Sequence, residues 1–357
     1  MKIAMVAAHA CVRVQKIAIP LIERGHEVSL ISQKIPSFAD QYDTICECPT
    51  ARQFLKAIEV YAKHVDIFHC HNEPSWFVTA IKEITDKPVI LDVHDTYLTR
   101  LKPDEETELQ KKGHRPLRVS FEERNNFQLA DGLVFVSDPF KEIIINEFKL
   151  SQPNITLPSF LPDFLYQYQA KRRNWIGGLV YEGRVDLPGE TKEGSTQHGF
   201  RYCDYIKLAK QARGIGIDFH LYSGRVLETD VEFFDAYKDF AILHTGRSYS
   251  HLMESIGRHD WGLVGNIDPT PQWEIALPNK FFEYIAAAVP IVAINAGHCA
   301  EWIEKYGIGI VVKDLHELAE RWSEHTEMRK RLIRVRREFI MQKHIGKMED
   351  FYGKFVR

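Results

Sequence analysis

The stretch "LPNKFFEYIAAAVPIVAI", residues 277–294, decides the fold class, because it places polar side chains on an otherwise apolar helix. Pro278 suits the first turn of a helix, whose free N–H groups and positive dipole attract an anion such as a phosphate. Asn279 and Glu283 are four residues apart and share a face, with Lys280 beside the helix start. A carboxylate repels phosphate but accepts hydrogen bonds from two neighbouring hydroxyls, as on a ribose. The helix therefore predicts a nucleoside diphosphate site. The alternative is a core helix whose charged residues form a solvent-exposed face, and the same residues would fit it.

Length and composition limit the classes of protein that need considering. The 357 residues fit two domains of about 150–200 residues each. The net charge of −3 gives no support to nucleic acid as a partner. No stretch approaches the ~20 apolar residues of a membrane span. The opening "MKIAMVAAHAC" is interpreted as a buried strand and not a signal peptide, because charged residues follow at once. We expect a cytoplasmic protein, with peripheral contact at the inner face of a membrane left open.

Cysteine usage bears on the compartment and on metal binding. The chain has six scattered cysteines, at positions 11, 46, 48, 70, 203 and 299, and no CxxC pair. This pattern is typical of a reduced, cytoplasmic protein. The fragments "CEC" (46–48) and "HCH" (69–71) each lack a second pair of ligands at metal-binding spacing. We therefore expect no metal site and no cofactor.

Short apolar runs alternate with helical patterns along the chain, which predicts parallel sheets covered by helices. In the first half the predicted strands are 2–8, 26–32, 65–71, 87–95, 132–137 and 154–159, and the predicted helices are 12–25, 51–64, 75–86, 121–131 and 138–148. A proline-containing basic segment, 159–178, predicts a linker. The pattern then restarts with segments 178–184, 202–214, 217–224, 240–246, 250–260, 261–266 and 290–295. Two such α/β domains predict a cleft where the strand ends face each other.

Several segments resemble one enzyme family in the right order. "PNKFFEYIAAAVPIVA" resembles the donor-binding helix of GT-B glycosyltransferases, in particular the large retaining family of bacterial polysaccharide and lipopolysaccharide transferases (GT4-like, glycosyl transferases group 1). "LVYEGRV", "DFHLYSGR" and "ILHTGRSYSHLMESIGRHDWGLVG" are similar to strands of the family's second domain, and "VDIFHCHNE" and "KPVILDVHD" to strand ends of its first. The resemblance implies two Rossmann-like domains facing a central cleft. They are an acceptor-side domain, 1–165, completed by a C-terminal helix, 342–357, and a donor-side domain, 170–340.

The resemblance also implies roles for individual residues. Glu283 would bind the ribose, and Arg184 and Lys280 the donor diphosphate, with Asn279 on the same helix start. His94 matches a histidine near the transferred sugar and is a candidate catalytic residue.

Three other residues lie near His94 or on the preceding predicted strand of the first domain. Asp95 follows His94 at the same strand end and is a candidate cleft residue. His69 and His71 are interpreted as structural residues.

Three departures from the family pattern leave parts of the site open. The first loop, "AHACVRVQK", lacks the family's glycines, so His9, Arg13 or a neighbour would shape the site instead, and the acceptor and donor contacts there stay open. The family's additional glutamate, eight residues before the ribose-binding one, is replaced one position earlier by Glu274, a second catalytic candidate. A phosphate-binding lysine is displaced by the insertion "DLPGETKEGSTQHGFR". Lys192 and Arg201 are the candidates to replace it, and the choice between them stays open.

The predicted function is transfer of a sugar from a UDP- or GDP-linked donor to an acceptor hydroxyl. The resemblance implies retention of configuration, no metal, and a place in glycan or polysaccharide biosynthesis, with a glycan, a lipid-linked molecule or another hydroxyl compound as acceptor. Three alternatives remain: an epimerase of nucleotide sugars with this fold, a glycosyltransferase acting on modified DNA, and a non-catalytic partner subunit. A Rossmann oxidoreductase is not expected, because no GxGxxG follows a strand. The sugar, the base, the acceptor and the oligomeric state stay unassigned.

Overall fold

The structure is a computed structural model that divides the chain into two units. It describes residues 1–8, 11–35, 39–71, 76–94, 96, 98, 116–167, 174–187, 203–246, 248–268 and 270–356. The first unit comprises Met1–Pro162 and Met341–Arg357, and the second comprises Asp163–Ile340. Across the described ranges, no helix is both long enough and apolar enough to span a bilayer.

The first unit is built on a seven-stranded parallel sheet. Its strands are β1 (Lys2–Ala7), β2 (Glu27–Ser32), β3 (Thr44–Glu47), β4 (Ile67–His71), β5 (Val89–Val93), β6 (Gly132–Phe135) and β7 (Asn154–Thr156). The intervening helices are α1 (Val12–Glu23), α2 (Ala51–Tyr61), α3 (Phe77–Ile84), α4 (Pro116–Leu129) and α5 (Asp138–Phe148), with a 3₁₀ turn at Ala39–Gln41. The order β3-β2-β1-β4-β5-β6-β7 reverses direction between β1 and β4. Ligands bind at the carboxyl ends of strands near such a reversal.

The second unit repeats the same winding on a six-stranded parallel sheet, in the order β10-β9-β8-β11-β12-β13. Its strands are β8 (Leu179–Glu182), β9 (Phe219–Tyr222), β10 (Ile242–His244), β11 (Trp261–Gly265), β12 (Ile291–Ile294) and β13 (Gly309–Val311). Its helices are α6 (Ile206–Gly214), α7 (Val231–Tyr237), α8 (Tyr249–Ile256), α9 (Pro271–Ile275), α10 (Asn279–Ala286), α11 (Gly297–Tyr306), α12 (Leu315–Glu320) and α13 (His325–Val335). Short 3₁₀ helices occur at Asp163–Gln167, Trp322–Glu324 and Arg336–Phe339. The direction of winding reverses between β8 and β11.

The last residues of the chain belong to the first unit. They form a 3₁₀ turn, Met341–Lys343, and a final helix, α14 (Gly346–Tyr352). The Tyr352 hydroxyl lies 2.5 Å from His69 Nδ1 on β4, and Glu349 contacts both Arg24 and His26 at 2.7 Å. The apolar side of this segment is thereby buried on the sheet of the first unit, with ion pairs at its edge.

The predicted architecture of two parallel α/β domains is confirmed, whereas several short elements were missed. The central strands β1, β4 and β5 are buried over nearly their whole length, as expected for strands with helices on both faces. Sequence periodicity did not predict β3, a strand at the edge of the sheet whose four residues are exposed or half-buried. It also left α11 and the three-residue β13 unassigned. These elements are too short or too polar for periodicity to reveal.

Candidate active site

A pocket of about 590 Å³ opens at the carboxyl ends of β8 and β9 in the second unit. It is lined by Glu182, Gly183, Arg184, Val185, Asp186, Tyr222, Ser223, Gly224, Arg225 and Leu252. The winding of the sheet reverses beside β8, which is where doubly wound sheets bind their ligands. This pocket is therefore the candidate donor site, and it contains one predicted site residue, Arg184.

Helix α10, the helix of the opening stretch, is fixed against the strand that leads into this pocket. The Tyr284 hydroxyl donates to the Val180 carbonyl at 3.2 Å and accepts from the Glu182 N–H at 3.1 Å, both on β8. Its ring lies on Gly262 of β11, where a Cβ atom would come within 2.6 Å of the ring. At the other end, Arg336 Nη1 donates to the last carbonyl of α10 at 2.5 Å. The last turn of α10 is thus fixed against β8 and β11.

Lys280 places its charge beside the turn that follows β8. Its ammonium lies 4.9 Å from the ring centre of Tyr181 and 5.5 Å from that of Trp273. At Gly183, where φ is +125°, a Cβ atom would lie 3.2 Å from Lys280 Nζ. Only glycine lets the backbone approach the lysine in this way. Lys280 forms no ion pair with any residue that the structure describes, so its charge is available to an anion.

Two arginines follow β8 and β9 and have different surroundings. The Arg184 side chain is 51% exposed, and its Nε donates to the buried Asp186 carboxylate at 2.6 Å. Arg225 instead donates from Nε and Nη2 to the Val185 carbonyl and from Nη1 to Asp230. Arg184 can reach a ligand in the pocket, whereas Arg225 fastens the loop that carries Arg184. Sequence reasoning missed Arg225, although its position directly after a strand end was a usable signal.

Glu283 is buried one turn into α10. The residue is 3% exposed, and its Oε1 accepts a hydrogen bond from the Tyr249 hydroxyl at 2.7 Å. Burial and the neighbouring carboxylate raise the pKa of Tyr249 well above its ordinary value, so the tyrosine remains a neutral donor. Tyr249, at the start of α8, was not predicted from the sequence. Asn279 is half-buried at the first position of α10, four residues before Glu283.

Glu274, the second predicted catalytic carboxylate, lies on the short helix α9 and is exposed. Its Oε2 faces Gly297 at the start of α11, where a Cβ atom would come within 2.6 Å. The preceding residue, Trp273, is buried and lies under the Lys280 ammonium. The same short helix therefore supports Lys280 with one side chain and presents the Glu274 carboxylate with the next.

In the first unit, Arg13 lies in the interior. It is 1% exposed, and its Nε and Nη2 donate to the two carboxylate oxygens of Asp92 at 2.7 and 2.8 Å. It also donates to Ser159 Oγ at 3.0 Å and to the Leu157 carbonyl at 2.9 Å. The donors of Arg13 are thus directed at buried partners in its own unit, and its assignment as an acceptor contact stays a prediction.

His94 follows the end of β5 and belongs to the same buried network. Its Nδ1 lies 3.0 Å from Asp92 Oδ1, and its Nε2 lies 4.0 Å from Cys11 Sγ. Burial would raise the pKa of Asp92, but Arg13 and then His94 hold it well below its ordinary value. Burial would lower the pKa of His94, but its hydrogen bonds to Asp92 and Cys11 outweigh this and raise it to about 10. Asp92 therefore orients the ring of His94 and favours its protonated form.

His69 and His71 project from β4 with their rings stacked, and both are buried. His71 Nε2 lies 3.4 Å from the sulfur of Met5, and burial lowers the pKa of His69 to about 4, so the ring is neutral. Together with Asp92 they could approach a metal ion. The residues do not fit one, however, because both Asp92 oxygens bond to the Arg13 guanidinium, whose positive charge would repel a cation.

Four predicted site residues, His9, Asp95, Lys192 and Arg201, lie outside the described residues. Apart from Glu274 on α9, the structure places the other candidates in two groups. One group is Arg184, Asn279, Lys280 and Glu283, around the ends of β8 and α10 in the second unit. The other is His94 with its partners in the first unit.

Models of known protein families match segments in both units of the chain. Residues 12–157 match the family described as Glycosyltransferase Family 4, and residues 235–346 match the family described as Glucosyltransferase 3-like, C-terminal domain. The first match lies in the first unit and the second lies mostly in the second unit, and together they include His94, Lys280 and Glu283. No protein of curated function matches the chain in sequence.

Solved structures are similar over the full length. Sucrose-phosphate synthase from Thermosynechococcus elongatus has a TM-score of 0.71 at 12% identity, covering 99% of this chain and 98% of that one. WaaG, a glycosyltransferase involved in lipopolysaccharide biosynthesis, has a TM-score of 0.61 at 14% identity, covering 98% and 99%. An alpha-glucosyltransferase in complex with UDP and a 13-mer DNA has a TM-score of 0.64 at 12% identity, covering 99% of each chain. At these identities the likeness is one of fold.

Proposed function

We propose that this chain, whose fold is that of the GT-B glycosyltransferases, moves a sugar from a nucleoside diphosphate donor to an acceptor hydroxyl. The observation that carries the proposal is the pairing of Lys280, beside the end of β8, with the buried carboxylate of Glu283 one turn along the same helix. A cation at a helix start suits the diphosphate, and an oriented carboxylate suits two ribose hydroxyls. Several similar structures hold UDP, so UDP is the first nucleotide to test.

Departure of the diphosphate is the step that these residues would assist. Breaking the bond between the anomeric carbon and the diphosphate oxygen leaves negative charge on the phosphate and positive charge on the sugar. Lys280, Arg184 and the N–H groups at the start of α10 would stabilise that negative charge. They are already oriented in the folded protein, so no reorganisation is needed during the reaction. Asp186 orients Arg184 for this role through its 2.6 Å ion pair. The proposed diphosphate site needs no divalent metal.

The stereochemical course and the acceptor complete the proposal. With retention, the acceptor oxygen bonds to the anomeric carbon on the face that the diphosphate leaves, and its proton passes to the leaving phosphate. His94 would contact the transferred sugar, as the sequence resemblance implies, with Asp92 holding its ring in place. The acceptor is proposed to be a hydroxyl of a growing glycan or polysaccharide.

Replacement of Glu283 tests the ribose contact. We expect Glu283→Gln to weaken UDP binding by about 1.5–3 kcal/mol, roughly 10- to 150-fold in Kd, because a buried charge-assisted hydrogen bond is lost. Glutamine keeps an acceptor for Tyr249 and nearly the same volume, so the melting temperature should change little. Calorimetric titration with UDP measures the effect, and Glu254→Gln, on an exposed side chain of the same unit, is the matched control. A UDP affinity equal to wild type would show that Glu283 does not hold the ribose.

Chelation tests the charge assignment at the diphosphate. We expect the rate of UDP release from a UDP-sugar to be unchanged by excess EDTA, because the charge is assigned to Lys280, Arg184 and a helix end. The rate is measured before and after chelation and again after magnesium or manganese is added. Loss of activity on chelation, with recovery on metal addition, would contradict the assignment.

A further inference from the structure

Cys11, His94 and Asp92 form a row of nucleophile, base and orienting carboxylate in the first unit. Cys11 Sγ lies 4.0 Å from His94 Nε2, and His94 Nδ1 lies 3.0 Å from Asp92 Oδ1. Asp92 is itself held by two hydrogen bonds from Arg13. This is the arrangement that activates a thiol in proteins, with the base in reach of the sulfur and fixed by a third group. The glycosyl transfer proposed above does not use the thiol.

The surroundings of the sulfur also favour its anionic form. Cys11 is the N-cap residue of α1, and the positive end of the helix dipole favours a negative charge there. Tyr42 is only 7% exposed, and its hydroxyl has no hydrogen-bond partner among the described residues. That hydroxyl lies close enough for a charged Cys11 to raise the pKa of Tyr42, after the larger effect of burial. Tyr42 is thus a buried, neutral hydroxyl whose pKa responds to the charge on Cys11.

We propose that Cys11 is a modification site whose thiolate, paired with His94, is oxidised by hydroperoxides to a sulfenic acid. The sulfur attacks one peroxide oxygen, so that an S–O bond forms and the O–O bond breaks. The sulfur loses two electrons, the peroxide gains them, and the departing hydroxide or alkoxide takes the proton of His94. The added oxygen would occupy the space between Cys11 and His94, and so would switch off any role of that histidine.

Ionisation of the thiol near neutral pH is consistent with this geometry. Burial would raise the pKa of Cys11, but the hydrogen bond and charge of His94, with the backbone N–H groups, lower it to about 7. Other titratable or charged groups facing the pair are Asp92, Arg13, Tyr42, His69 and His71. The pKa values of Asp92, His69 and His71 are lowered, and the pKa of Tyr42 is raised. A transition near pH 7 would therefore belong to Cys11 with His94.

The other cysteines provide an internal control. Cys48, Cys70, Cys203 and Cys299 are buried, whereas Cys46 is half-buried, as Cys11 is. Alkylation with iodoacetamide, followed by peptide mass spectrometry, gives the rates at Cys11 and Cys46 in one sample across about pH 5.5–9. The rate at Cys11 should be half-maximal near pH 7. At about pH 6 it should be about fivefold faster than at a thiol of ordinary pKa, after allowance for the lower nucleophilicity of a more acidic thiol.

Two variants assign the effect to the pair. His94→Gln should move the half-maximal pH of Cys11 alkylation up by about one unit or more, whereas His64→Gln, on an exposed histidine of the same unit, should not move it. Treatment with hydrogen peroxide and then dimedone should give an adduct at Cys11 and none in Cys11→Ser. Alkylation at Cys11 no faster than at Cys46 near pH 6 would overturn the proposal, as would the absence of the dimedone adduct. None of these readouts depends on sugar transfer, so they test the proposal for Cys11 independently of the proposed function.

Discussion

Replacing Arg13 with methionine is expected to destabilise the first unit by about 3–5 kcal/mol, because it leaves a buried carboxylate without its counter-charge. Asp92 is 0% exposed and accepts two of its hydrogen bonds from this guanidinium. Arg13 also holds Ser159 and the Leu157 carbonyl, both beyond the end of β7. One side chain of α1 therefore links the end of β5 to the segment that follows β7. Methionine fills much of the same volume, so the loss would report mainly on charge and hydrogen bonds.

The partner residue supplies the decisive comparison for this prediction. In the double variant Arg13→Met with Asp92→Asn, the uncompensated charge is gone, and much of the stability should return. Arg24→Met is the control, because Arg24 is half-exposed and its ion pair with Glu349 is screened by solvent, so its loss should change the stability little. Urea unfolding curves of the four proteins give the free energies of unfolding. If Arg13→Met unfolds at the same urea concentration as Arg24→Met, the ion pair with Asp92 does not stabilise the unit as argued.

The buried contacts of Arg13 show which features could be predicted from the sequence and which could not. Its place in the first loop and the missing glycines indicated a ligand contact, whereas its partner lies 79 positions along the chain. That partner becomes a neighbour only because β1 pairs with β4 and β4 pairs with β5. Strand order could be inferred from the α/β pattern, but not which side chains meet beneath the strand ends. The Cys11–His94 contact, at a separation of 83 positions, was hidden for the same reason.

Residues within one element were predicted more readily than partners between elements. Helical spacing placed Asn279, Lys280 and Glu283 together, and the helix exists as α10. The supporting contacts come from elsewhere: Tyr249 on α8 for Glu283, and the glycine backbone after β8 for Lys280. Periodicity carries no information about such pairs, because they depend on how helices sit on the sheet.

The substitution Lys280→Met is expected to reduce kcat by about 100- to 1,000-fold, or about 2.7–4 kcal/mol in the barrier. Methionine can keep the contacts with the rings of Tyr181 and Trp273 but has no charge. The negative charge on the departing diphosphate is larger in the transition state than in the bound donor, so KM should change far less than kcat. The test substrate is the UDP-sugar that the wild-type protein turns over fastest in a panel, with UDP release as the readout.

The control for this experiment is Lys207→Met, which removes an equal charge from an exposed lysine paired with Asp268 in the same unit. It should leave kcat within about twofold of wild type, because exposed charges are strongly screened. Lys280→Arg should retain only part of the activity: it keeps the charge, but a guanidinium is wider than the space beside Gly183. If Lys280→Met releases UDP as fast as Lys207→Met, the diphosphate charge is stabilised by Arg184 and the helix start without the lysine. The turn at Gly183 would then serve the packing of Lys280 on the aromatic rings alone, and the donor phosphates would lie on the Arg184 side of the pocket.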